Sequence, residues 1–222
     1  MKNSTKEPVS VQPLVDVVKA LRAPNGCPWD QKQTHESLRR YFIEETYEVV
    51  DAIDNKDMDN LREELGDVLL QVVFHSQLAE EAGHFTLQDV IHDVTEKMIR
   101  RHPHVFNPEN DEKSYSWDEL KAKEKKNSQN SVLDGVSKSL PALVAAYKLQ
   151  EKAAKLGFDW DELDPVWAKV SEEMGEFKEA IAQNDRENME KEAGDVLFSL
   201  INLLRWYKIS GENALNRTNT KF

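Results

Sequence analysis

The stretch EETYEVVDAIDNKDMDNLREELGD, residues 44–67, holds ten acidic side chains in twenty-four positions, threaded by apolar residues at helical intervals. Glu45 and Glu48 stand three residues apart, as do Glu64 and Asp67, so each pair shares one face of a helix. Phe42, Glu45, Val49 and Ile53 follow the spacing of a buried stripe, and so do Leu61, Glu64, Val68 and Val72. The spacing therefore aims four carboxylates inward. Like-charged helix neighbours cost about 0.2–0.5 kcal/mol per exposed pair, and an uncompensated buried carboxylate costs several kcal/mol or takes a proton. A divalent cation removes both penalties. Oxygen donors without His or Cys favour Mg²⁺, with Mn²⁺ as a substitute, over zinc or copper. A carboxylate-bridged di-iron bundle needs Glu-x-x-His pairs on helices. The sequence offers only Glu81 with His84, which straddle Gly83.

The same pattern returns. Glu173, Glu176, Glu192 and Asp195 stand 128 residues after Glu45, Glu48, Glu64 and Asp67 respectively, and EEMGE and KEAGD answer EETYE and EELGD. Val166, Val170, Glu173, Phe177 and Ile181 make one apolar stripe, and Met189, Glu192 and Val196 the other. A spacing kept across two helices and their turn marks a duplicated helical hairpin. The match is looser outside it: TEKMIRR aligns with NTKF, placing Lys97 with Lys221, and PWD at 28–30 precedes the first hairpin as FDW at 158–160 precedes the second.

Helices must hold these groups. The 222 residues include only eight glycines and eight prolines, and no stretch alternates as a half-buried strand does, so the fold expected is all-α. The periodicity predicts helices from about Val11 to Leu21, Leu38 to Asp54, Met58 to Ala82, and Thr86 to the stop at Pro103. NGCPWD reads as a loop. Further helices are expected over Leu140 to Leu156, from an Asp164–Pro165 start, and from Asp185 to Gly211. The polar run between them reads as a linker with one helix near Trp117 to Lys125. This gives an N-terminal module at 10–106, a linker at 107–138 and a C-terminal module at 139–222. Hairpins this small need partner helices, so homodimerisation into a four-helix-bundle type of assembly is expected.

A net charge of -12 argues against nucleic acid as the main partner, and the eight site acids supply most of it. A lone cysteine, Cys27, fits a reducing cytosol, and the sequence has neither a signal-peptide core nor an apolar run of membrane-spanning length. A cytoplasmic protein with no membrane partner is expected. The histidines at 35, 75, 102 and 104 show no catalytic pattern, with His102 and His104 read as a helix-end cap. Trp29 and Trp160 read as base-stacking or hinge aromatics.

NGCPWDQKQTH at 25–35, EETYE, EELGD, RRHPHVF at 100–106, SLPAL at 139–143 and GFDW at 157–160 together give a specific resemblance. From about Leu14 to Phe222 the chain resembles the MazG family of all-α nucleoside triphosphate pyrophosphohydrolases. That resemblance implies Mg²⁺-dependent hydrolysis between the α and β phosphates, giving a monophosphate and pyrophosphate. It implies that the eight carboxylates hold metal and that Lys97, Arg101 and Lys221 contact phosphate. Lys169, one turn before Glu173, joins them by position, and Glu44 and Glu172 are placed to orient the attacking water. The family pattern continues beyond KF, and the arginine expected four residues after Lys221 is absent. The second half is therefore expected to keep its cage and lose part of its phosphate grip. The competing expectation is a nucleotide-binding protein without turnover.

Overall fold

The computed structural model describes residues 9–107 and 132–222, and all regular structure among them is helical. No helix there is long and apolar enough to cross a membrane. The helix expected near Trp117 to Lys125 lies outside the described residues. The chain divides into two units, residues 1–120 and 121–222.

The first unit runs α1 (Gln12–Arg22), α2 (Pro28–Gln31), α3 (His35–Asn55), α4 (Met58–Glu81), α5 (Leu87–Arg101) and α6 (Pro103–Phe106). NGCPWD is thus not wholly a loop: Pro28, with no N–H to leave unsatisfied, opens the short α2. Gly26 just before it is fixed by space, since a Cβ would sit 2.2 Å from the Leu21 carbonyl oxygen. Thr34 caps α3 in a reciprocal box with Ser37, which starts that helix three residues before the first apolar position. Thr86 and Asp89 form the same box on α5. The core is Val18, Leu38, Val73 and Phe74, with Leu14, Tyr41 and Leu70 packed against it. Each such side chain contributes roughly 1.5–3 kcal/mol on burial, which is what holds α1 and α3 onto α4.

The second unit has a 3₁₀ turn (Val132–Gly135), then α7 (Ala142–Lys155), α8 (Leu163–Gln183), α9 (Arg186–Trp206) and α10 (Gly211–Lys221). Val166, Val170 and Leu203 form its core with Leu163 and Trp206. α9 packs on α8 and α7, and α10 on α7. Two boundaries differ from expectation. Glu162 occupies the N-cap position of α8 without a side-chain hydrogen bond, so Pro165 falls in the first turn, where an N–H has no intrahelical acceptor to lose. Gly211 does not end α9, which stops at Trp206, and Lys208 turns the chain at φ 56°. Gly211 instead opens α10, capped by the Ser210 hydroxyl.

The hairpin repeats down to its turn. Lys56 and Asn184 both adopt left-handed backbone, at φ 57° and 53°, and Asp57 and Asp185 follow as N-caps. A two-residue connection of this kind returns the chain antiparallel against its own preceding helix, which sets α3 against α4 and α8 against α9.

Candidate functional site

Each hairpin gathers carboxylates from both of its helices. Glu45 and Glu48 on α3 and Glu64 on α4 each offer an oxygen within 4.8 Å of the other two, and Glu173, Glu176 and Glu192 do the same on α8 and α9. Asp67 and Asp195 stand outside these triads. Glu173 and Glu192 are buried, at 7% and 5% exposure, Glu45 and Glu64 half-buried, and Glu48 and Glu176 exposed. The apolar stripes are shorter than the spacing predicts: Ile53 and Ile181 are 53% and 49% exposed. Both lie in the last turn, three residues before the left-handed Lys56 and Asn184, where helix covers the side chain on one side only.

The electrostatics follow from this crowding. Burial raises the Glu45 carboxyl above its ordinary range, followed by repulsion from Asp67 and a hydrogen bond with Glu48. Burial likewise raises Glu64, with Glu48 next, and Glu176, with Glu173 and Glu192 next. Two of these groups share a proton more easily than both stay ionised.

The second triad has cations of its own. Lys169 Nζ lies 2.7 Å from Glu173 Oε1 and 3.0 Å from Glu172 Oε1, and its ammonium is pushed upward mainly by the hydrogen bond to Glu173. Lys191 Nζ reaches Glu192 Oε1 at 2.9 Å and Asp195 Oδ2 at 3.9 Å. Even so, Glu192 Oε2 is buried without a hydrogen-bond partner. A buried carboxylate oxygen left bare costs more than an ordinary hydrogen bond contributes, so a ligand is the economical partner. These oxygens, hard and clustered, fit a divalent cation.

Beside this triad a cavity of about 640 Å³ is lined by Lys169, Glu173 and Asp195 together with Phe158, Trp160 and Phe198. Asn202 accepts from Arg205, which also pairs with Asp159, and this polar strip completes the wall. Gln150 donates to the Phe198 carbonyl at 2.8 Å, and its own Oε1 is buried without a partner. In the first unit a hollow of about 720 Å³, lined by Trp29, Arg40 and Tyr41 among others, touches none of the four carboxylates.

The other sequence-derived candidates fall elsewhere. Lys97 and Arg101 lie half-buried on α5, and Lys221 sits exposed at the end of α10. No ion pair joins any of the three to the carboxylates among the described residues. Glu44 is exposed, and Glu172 is held by Lys169. Trp29 and Trp160 are 52% and 43% exposed, so neither is a buried hinge. His102 does cap α5, its Nδ1 2.7 Å from the Met98 carbonyl oxygen. His35 and His75, forty positions apart in sequence, stack with their Nδ1 atoms 2.8 Å apart. Lys191 escaped the sequence reading, although its i,i+4 spacing to Asp195 in KEAGD carries the signal.

Among the described residues the carboxylates thus concentrate on two helical hairpins, the second with lysines and a cavity alongside. Residues 33–106 and 164–222 match the family model of the MazG nucleotide pyrophosphohydrolase domain. The chain is 49% identical over 212 residues to the nucleoside triphosphate pyrophosphohydrolase/pyrophosphatase MazG of Thermotoga maritima, covering 94% of this chain and 81% of the relative. It is 44% identical over 217 residues to the nucleoside triphosphate pyrophosphohydrolase of Escherichia coli K12, covering 94% and 82%. It is 53% identical over 212 residues to the YabN protein of Bacillus subtilis, where the match covers 93% of this chain and 43% of that longer one. The chain belongs to the MazG family.

Proposed function

We propose that this protein hydrolyses nucleoside triphosphates to a monophosphate and diphosphate with Mg²⁺, and that its C-terminal half carries the reaction. The single observation behind the second clause is the cavity lined by Lys169, Glu173 and Asp195, beside the second carboxylate triad. Its apolar wall suits a nucleoside, and its cationic and acidic end suits a polyphosphate with its metal. The relatives' names support the substrate class.

In this reading Glu173, Glu176, Glu192 and Asp195 hold the cation in the second half, and Glu45, Glu48, Glu64 and Asp67 in the first. Mn²⁺ substitutes for Mg²⁺. A cation bound there screens the charge of the triphosphate and favours an ionised nucleophile. Lys169 and Lys221 contact phosphate in one half, Lys97 and Arg101 in the other. Glu172, like Glu44, is placed to orient the water whose hydroxyl replaces one side of the broken α–β bridge. No nucleophilic Ser, Cys or His arrangement suggests a covalent intermediate.

We further assign a cytoplasmic homodimer. Ile43 and Tyr47 on α3, and Leu65 and Leu69 on α4, lie one turn apart and are 39–51% exposed, an apolar surface suited to partner helices. Light scattering should report twice the 25.6 kDa chain mass, and a monomer would remove this clause.

The reaction is tested by incubating the protein with each NTP and Mg²⁺ and resolving the products. Equal yields of monophosphate and pyrophosphate, stopped by EDTA, are expected. Orthophosphate with a diphosphate would refute the α–β assignment. Binding of a triphosphate without any product would favour a non-catalytic nucleotide-binding protein.

A further inference from the structure

The turn backbone and the carboxylate triad recur in both hairpins, but the charge around them does not. The residues 128 positions before Lys169 and Lys191 are Tyr41 and Glu63. Four carboxylates with Tyr41 and Glu63 carry a formal charge of -5, whereas four carboxylates with Lys169 and Lys191 carry -2. No ion pair reaches Glu45, Glu48, Glu64 or Asp67 among the described residues, while three of the four second-half ligands are ion-paired to a lysine. The second cage nevertheless keeps one buried, unpartnered oxygen, Glu192 Oε2.

We propose that the two cages load their cation by different rules: the first takes a divalent cation alone, and the second takes it together with a polyphosphate. This rests on the proposed assignment of the carboxylates to a cation. A bare cation entering the second cage meets two ammonium groups already bound to its ligands, and like charges at this range repel strongly. A polyphosphate arriving with it offers oxygens to those ammonium groups and frees the carboxylates. Lys191 can make that exchange readily, because its side chain is 69% exposed. Cation and polyphosphate then tighten each other's binding by one common factor.

Mn²⁺ binding, followed by the loss of its free-ion electron spin resonance signal, tests this on the full chain. Glu64→Gln isolates the second cage and Glu192→Gln the first, and an α,β-imido triphosphate serves as an uncleaved probe. In Glu64→Gln the probe should tighten Mn²⁺ at least tenfold, and in Glu192→Gln by a clearly smaller factor. Adding Lys191→Gln to Glu64→Gln should strengthen Mn²⁺ binding without the probe at least threefold and shrink the probe's effect. Helical circular dichroism confirms that each variant is folded, and Lys191, being exposed, carries little risk to folding. Equal probe-free Mn²⁺ affinities in the two isolated cages, or indifference to Lys191→Gln, would overturn the inference and leave the proposed reaction standing. Failure of the wild-type chain to bind Mn²⁺ with or without the probe would remove the cation assignment itself.

Discussion

Glu192→Gln is expected to reduce pyrophosphate release at least about 100-fold, exceeding the roughly 10–100-fold cost of losing a group that merely supports a metal ligand. Glu192 joins the triad with one oxygen on Lys191 and the other bare. Glutamine keeps the volume and removes the charge, so a cation loses a hard anionic donor while the helix is little disturbed. The mutant amide also has an N–H₂ that cannot coordinate. Glu64→Gln makes the identical change in the first half and should cost less, because the reaction is assigned to the cavity lined by Glu173 and Asp195 in the second half. The double variant should release no pyrophosphate. Turnover surviving the double variant would sink the carboxylate mechanism, and a larger loss from Glu64→Gln would move the reaction to the first half.

The part of this site legible in the sequence was the part written in spacing. Glu45, Glu48 and Glu64 were readable because helical periodicity converts a three-residue interval into a shared face, and the copy at 173, 176 and 192 made chance implausible. The caps at Thr86 and Asp185 were equally local, each a polar oxygen meeting an N–H three residues on. What spacing could not give was distance between elements. Asp67 shares a face with Glu64 as Glu48 does with Glu45, yet it stands outside the triad, which the spacing does not distinguish. Ile53 fits a buried period yet is exposed, since periodicity does not say where the neighbouring helix stops giving cover. The His35–His75 stack joins the start of α3 to the body of α4 and has no local signature. The cavity lining combines α7, α8, α9 and the turn at Gly157–Trp160, and no single motif contains it. Pro165 suits any position of a first turn and so does not fix where α8 begins, whereas Gly211 opens α10 instead of closing α9.

The second large effect concerns stability without metal. In the folded chain the carboxyls of Glu45, Glu64 and Glu176 are raised, first by burial and then by neighbouring carboxylates. A raised acid holds its proton in the folded state at a pH where the unfolded chain has released it. Its stabilising contribution is complete below the ordinary carboxylate value, about 4.3 for Glu, and is lost as pH rises through the folded value. Glu81 and Asp159 behave oppositely. Arg22 lowers the first, and hydrogen bonds from Arg205 and Trp160 outweigh burial to lower the second, so their contribution is lost as pH falls below the ordinary range. The windows lie on opposite sides of the ordinary value, so each can be read separately. EDTA-treated protein should therefore melt at progressively lower temperature as pH climbs from about 4.5 towards neutrality. Glu45→Gln should flatten that decline by removing one of the crowded charges. Above the decline Mg²⁺ should restore the loss, since a ligand at one hundred times its Kd stabilises the folded state by about 2.7 kcal/mol per site. Restoration should vanish below pH 4.5, where protons occupy the oxygens the cation needs. Melting curves that are flat across this range and indifferent to Mg²⁺ would show that the carboxylates are solvated acids, and the cage would then have no energetic basis.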